Sequence, residues 1–135
     1  MEKTLYNKNG QPVAYVAADY ARMIYLWDGE PVAYIYEELH VYGINGQHLG
    51  WFKEDVLYTP AGERVGFTSN TCAAAVGKSP QKNKKAHVSE PRPRWKAPPS
   101  PQFSFRLAVQ DLRDFLKQGR VTFRRAEEAK ESTQG

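Results

Sequence analysis

Cysteine is nearly missing from this chain. Cys72 stands alone among 135 residues, which excludes an intrachain disulfide framework and any zinc site built on a cysteine pair. Set beside Ala73, Ala74 and Ala75, it reads as a small buried or boundary residue and not as an activated thiolate. Histidine is sparse as well, and His40, His48 and His87 lack ligand spacing, so no metal and no cofactor are expected. His40 and His48 are expected as exposed strand-end residues on opposite sides of one hairpin. There is no long apolar run and no charged-then-apolar leader, so no membrane span is expected and the cytoplasm is the expected compartment. Phosphate-loop, dinucleotide and nucleophile-elbow signatures are also missing, and the chain is expected not to be an enzyme. The residual enzymatic alternative is a hydrolase using carboxylates among Asp19, Glu37, Glu38, Glu54 and Asp55, which would need two of them at a defined separation.

What the chain does contain is one phrase written four times. Leu5-Tyr6-x-x-x-Gly10-x-x-Val13-Ala14-Tyr15-Val16 recurs as Ile24-Tyr25-x-x-x-Gly29-x-x-Val32-Ala33-Tyr34-Ile35, then from Val41 to Phe52 and from Leu57 to Thr68. A short fixed repeat means each unit buries its apolar face only against its neighbours. Each unit spells a β-hairpin. Asn9-Gly10, Asp28-Gly29 and Asn45-Gly46 stand between aromatic and β-branched runs, the signal of a type I′ turn in which both central residues take positive φ. Ala61-Gly62 departs from it, and Pro60 points to a different turn in the fourth copy.

With those two residues as the turn, Tyr6 faces Val13 and Leu5 faces Ala14, and the same pairing runs through the other copies. One face then carries the aromatics. The other sets an aliphatic residue against one that is always small: Ala14, Ala33, Gly50 or Gly66. Small residues inside strands mark close approach of other backbone, as at an axis where four hairpins crowd. The tyrosines ahead of the turns lie 19, 17 and 16 residues apart, so the links are short and hold the hairpins in order around a ring. Closure of the ring would remove exposed edges. The expected fold is all-β, four consecutive hairpins around a pseudo-fourfold axis.

The repeated phrase resembles the small bacterial four-fold beta-flower family over about residues 4–68. That resemblance implies four hairpin petals around an axis, with no established activity and no catalytic residues to carry over.

Charge divides the chain further. Residues 1–68 carry five Lys and Arg against nine Asp and Glu, residues 69–102 seven against one, and residues 103–135 seven against five. The basicity therefore sits outside the repeat domain of residues 1–68, in a Pro-rich linker over 69–102 whose composition predicts disorder. Lys82, Lys84, Lys85, Arg92, Arg94 and Lys96 are its candidate contacts to phosphate or to an acidic partner. Phe105, Val109, Leu112 and Leu116 then recur at helical spacing, predicting an amphipathic helix from near Phe105 to Gln118 within a segment 103–124. Gly119 stops it. Arg120–Arg124 reads as a short strand and 125–135 as a polar tail.

Tyr15, Tyr34, Trp51 and Phe67 hold equivalent places in the four copies and are the candidate binding ring, with core packing as the competing role. A core of roughly 65 residues is marginal alone, so tight closure of the ring, tail docking in cis or on a second copy, or homo-oligomer formation is expected. The function so read is a non-enzymatic interaction or assembly module engaging a protein partner or a second copy. The alternative is a nucleic-acid-associated accessory protein using the basic linker.

Overall fold

A computed structural model describes residues 2–19, 21–86 and 90–121. His87, the 122–124 part of the expected short strand and the tail 125–135 lie outside the described residues. Eight strands follow one another: β1 (Lys3–Tyr6), β2 (Pro12–Val16), β3 (Met23–Leu26), β4 (Pro31–Tyr36), β5 (His40–Gly43), β6 (His48–Lys53), β7 (Val56–Tyr58) and β8 (Arg64–Phe67). Each pairs antiparallel with the next, and Tyr6 opposite Phe67 closes the sheet into a barrel. The all-β fold of four hairpins is thus a closed ring, with no free outer strand.

The four hairpin turns are alike, and they differ from the type I′ expectation. In each, positive φ falls on the glycine alone, from 82° at Gly10 to 96° at Gly29. The glycine N–H donates to the carbonyl three residues back, as from Gly10 to Asn7 at 3.0 Å. This is a type I turn followed by a left-handed glycine bulge. The bulge accounts for a second correction. Leu5 does pair with Ala14, but Tyr6 pairs with Pro12, and Val13 is the inserted residue. Val13, Val32, Leu49 and Val65 accordingly join the aliphatic core and not the tyrosine face. Ala61 fits the fourth turn because its place needs no positive φ, so that copy matches the others.

True I′ geometry occurs between the hairpins. Glu37 and Glu38 take φ of 53° and 62°, and Glu54 and Asp55 take 50° and 63°, the primed turn that matches strand twist in a two-residue link. These carboxylates build links. Glu38 pairs with Arg22 at 3.1 Å and Asp55 with Lys3 at 2.7 Å.

The barrel interior is aliphatic, with Leu5, Ile24, Val41 and Leu57 fully buried, and one helix stoppers it. Helix α1 (Leu112–Lys117) inserts Leu112, Phe115 and Leu116 into the same core. It is shorter than expected, because Asp111 caps it by accepting from the Arg113 N–H at 3.0 Å. Phe105 and Val109 stay outside it, both exposed. The helix bridges opposite petals: the Asn7 amide donates to Asp111 at 3.0 Å, and the Asn45 amide donates to the Gln118 carbonyl at 2.8 Å. The small positions make room for it and for close strands. A Cβ on Gly50 would strike the Tyr58 carbonyl and the Phe115 ring, and one on Gly66 would strike Leu112.

The described part of the 69–102 segment is not disordered. It forms no helix or strand, yet it girdles the barrel with a period of nine residues. The N–H groups of Gly77, Ala86, Trp95 and Ser104 donate in turn to the carbonyls of Gly10, Gly29, Gly46 and Gly62 at 2.8, 2.9, 2.8 and 3.0 Å. Two residues earlier, the carbonyls of Ala75, Lys84, Pro93 and Gln102 occupy the space that a Cβ on the same glycines would fill. The fourfold ring offers four equal docking points, and an extended chain meets one every nine residues. Composition argued for disorder because few apolar side chains are available. The strap instead binds largely through its backbone.

Candidate functional site

The outward faces of the strands carry the aromatics, and the strap covers them. Tyr15, Tyr34, Trp51 and Phe67 are only 1, 7, 3 and 4% exposed, so they form no open ring. They fall into two clusters: Tyr15 and Tyr34 with Tyr25 and Tyr42, and Trp51 and Phe67 with Tyr58. Away from the bulges the strands alternate inward aliphatic residues with outward ones that are mostly aromatic, and the strap packs over the outer set.

Three of the basic candidates are used in that covering. Lys82 sits 5.0 Å over the Tyr15 ring and pairs with Glu2 at 2.6 Å; Lys85 sits 4.9 Å over Tyr25. Arg94 stacks 3.8 Å over Tyr36 and donates to the Tyr34 hydroxyl at 3.3 Å. A cation on the face of an electron-rich ring is attracted by its quadrupole. That hydrogen bond raises the Arg94 pKa still further, and burial pushes up the phenols of Tyr15 and Tyr42 against the pull of Lys82 and Arg94. Lys84, Arg92 and Lys96 are exposed. The six candidates therefore do not converge on one site.

Between the strap and β3 and β4 lies an open cleft of about 730 Å³, lined among others by Arg22, Tyr34, Tyr36, Glu38, Glu90 and Arg94. Cations and carboxylates balance around it. Among the described residues no group of three or more His, Cys, Asp or Glu is arranged to hold a metal ion, and no helix is long and apolar enough to cross a membrane.

His40 and His48 are not separate exposed residues. The bulge sets Tyr42 opposite His48 and His40 opposite Trp51, which brings His40 Nδ1 to 3.1 Å from His48 Nε2. His48 is 7% exposed, with its ring 4.8 Å from that of Trp51 and 4.9 Å from that of Tyr42. Its Nδ1 is buried without a hydrogen-bond partner. Burial, with a smaller contribution from His40, lowers its pKa to about 4. Nothing in the spacing of the two histidines marks the pair, because the contact depends on the bulge.

One surface feature was read in the sequence as part of a helix. Phe105, Leu107 and Val109 are 84, 50 and 94% exposed on a segment that bends at Phe105 and Val109 and is bridged to β8 between Leu107 and Arg64. The Arg64 guanidinium lies 4.3 Å over one face of Phe105. Ala108 is buried, Arg106 is exposed like its neighbours, and the chain bends at Phe105 and Val109, so only the bridge at Leu107 is strand-like.

A family model described as 4-fold beta flower protein matches residues 3–116, and the chain belongs to that family. The match takes in the barrel, the strap and most of α1. No enzymatic activity is known for the family. Neither the curated proteins nor the solved structures offer a match to this chain.

Proposed function

We propose that this beta flower protein is a non-enzymatic interaction module that offers the Phe105, Leu107 and Val109 strip to another protein chain, whether a partner or a second copy. The observation that carries this reading is the exposure of those three neighbouring side chains, while Val76 and Trp95, the other exposed large apolar residues among the described ones, stand apart from one another on the strap. A contiguous apolar patch left in water is the mark of a docking surface. Two further features support it. The barrel interior is filled by α1, which removes the usual cavity for a small ligand. Four of the five carboxylates considered for a hydrolase, Glu37, Glu38, Glu54 and Asp55, lie in the φ-positive links.

The test compares the full chain with a Phe105→Asp/Val109→Asp double variant, both side chains lying outside the core. Sedimentation of the purified proteins and co-purification from the host extract are measured together. The reading predicts association in one or both assays and its loss in the variant, with the melting temperature unchanged. Wild-type protein that stays monomeric and retains nothing beyond what the variant retains would overturn it.

A second reading rests on the exposed strap cations Lys84, Arg92 and Lys96, which are placed to meet phosphates. It requires retention on generic DNA or RNA that falls steeply with salt. No retention at low salt ends it.

A further inference from the structure

We infer that a pH-sensitive clasp holds the strap over the third petal: protonation of the paired His40 and His48 releases the strap at Trp95 and uncovers Tyr36 and Tyr42, while its docking point on the first petal stays closed. This device is independent of the Phe105 to Val109 surface. Because the petals repeat, one strand place can be compared in all four. The residue opposite the tyrosine ahead of each turn is Pro12, Pro31, His48 and Arg64 in order. The strap crosses this place. A Cβ on Gly77, which docks on the first petal, would lie 3.4 Å from the Pro12 ring, and Trp95 docks on the third petal by the same kind of bond, from its N–H to the Gly46 carbonyl at 2.8 Å. His48 therefore lies under the strap at Trp95. It is buried there, whereas Pro12, Pro31 and Arg64 are half-buried.

The fourth petal shows what a cation at this place requires. Arg64 Nε donates to the carbonyl of Ser104, the docking residue of the strap there, at 3.3 Å. In the third petal the matching carbonyl, that of Trp95, already accepts from the Tyr42 hydroxyl at 2.9 Å. His48 Nε2 is engaged with His40 Nδ1, and its Nδ1 has no partner. An added proton would bury a charge and leave an N–H without an acceptor, a cost that water removes once the cover lifts. The surroundings supply no compensation. His40 and Tyr42 face His48 from β5, Tyr36 packs on both from β4, and Trp51 lies beside it on β6. Glu37 acts on Tyr42 from the link, and Lys53 lies over Phe103, which packs on Trp51. Among the described residues neither histidine forms an ion pair with a carboxylate. Arg94 lies 3.8 Å from the Tyr36 ring and 6.0 Å from the Tyr42 ring. That cation belongs to the strap, so its repulsion from a protonated His48 acts on the piece that lifts. The closed strap holds His48 at about 4, while an uncovered imidazole takes its proton at the ordinary 6.5.

The experiment follows single backbone amides of the full chain by hydrogen exchange, corrected for the intrinsic rate at each pH. Protection of the Trp95 N–H should fall about thirtyfold from pH 8 to pH 5, the ratio set by titration at 6.5 when open and at about 4 when closed. The Gly77 N–H, docked over Pro12, should keep its protection. His48→Pro gives the third petal the residue that the first two carry, and it should hold Trp95 protection level across the range. Equal losses at Gly77 and Trp95, no loss at Trp95, or a loss that persists in His48→Pro overturns the proposal. If His48→Pro does not fold, the comparison of the two amides in the unaltered chain decides by itself.

Discussion

The backbone N–H of Trp95 donates to the carbonyl of Gly46 at 2.8 Å, while the Pro93 carbonyl takes the space that a Cβ on the same glycine would fill. A single residue thereby turns a hairpin and seats the strap. The turn needs a left-handed backbone, with φ of 94° at Gly46, and the strap needs the space that a side chain would fill. Four such points in a ring hold an extended segment that has no sheet or helix of its own.

Gly46→Ala is expected to act through both requirements. The left-handed backbone alone costs roughly 1–2 kcal/mol for a residue with a Cβ, and the methyl group also collides with the strap. Limited proteolysis should show faster cleavage near Trp95, along with a lower melting temperature. Gly77→Ala is the contrast. An added Cβ there meets nothing closer than 3.4 Å, so stability should change by less than about 0.5 kcal/mol. Equal effects of the two changes would refute this account of the strap.

Helix α1 closes the barrel through Phe115, which is 1% exposed. Phe115→Ala should destabilise the fold by about 3–5 kcal/mol in a urea titration. If the loss is under about 1 kcal/mol, the helix is not part of the core.

Stability should fall as the solution is acidified. His48 ordinarily titrates at 6.5 and is held at about 4 in the fold, where it faces His40, Tyr42 and Trp51. The unfolded chain therefore takes up a proton that the folded chain refuses. The stabilisation is complete above pH 6.5 and is lost as pH drops toward about 4, at up to about 1.4 kcal/mol per pH unit. His48→Phe should flatten this part of the profile. A slope that persists in the variant would assign the effect to other groups.

Glu37 and Glu38 hold positive φ that neither residue favours. Glu37→Asn/Glu38→Gly should raise stability by about 1–2 kcal/mol. The loss of the exposed Arg22 to Glu38 pair subtracts little. A lower melting temperature would show that the link is not strained.

The hairpins were legible because their causes are local. A glycine between apolar runs and a small residue across from an aliphatic one state the turn and the crowded interior without reference to distant residues, and Leu5 opposite Ala14 follows at once. The bulge was less legible, since Asn-Gly suits both a two-residue I′ turn and a type I turn ending in a left-handed glycine. Ala61 in the fourth copy is the residue that separates them. The helix was overextended because Phe105 and Val109 share helical spacing with Leu112, whereas the segment around Leu107 pairs with Arg64 instead.

By itself the order of residues determined four petals, their closure and their small-residue interior, all set by contacts within a hairpin or between neighbours. Tertiary structure alone decided where the rest of the chain goes. The strap is recognised by its N–H and C=O groups, which every non-proline residue carries, so its nine-residue beat leaves no trace in side-chain identity. The same is true of His40 and His48: only the folded register brings their rings together.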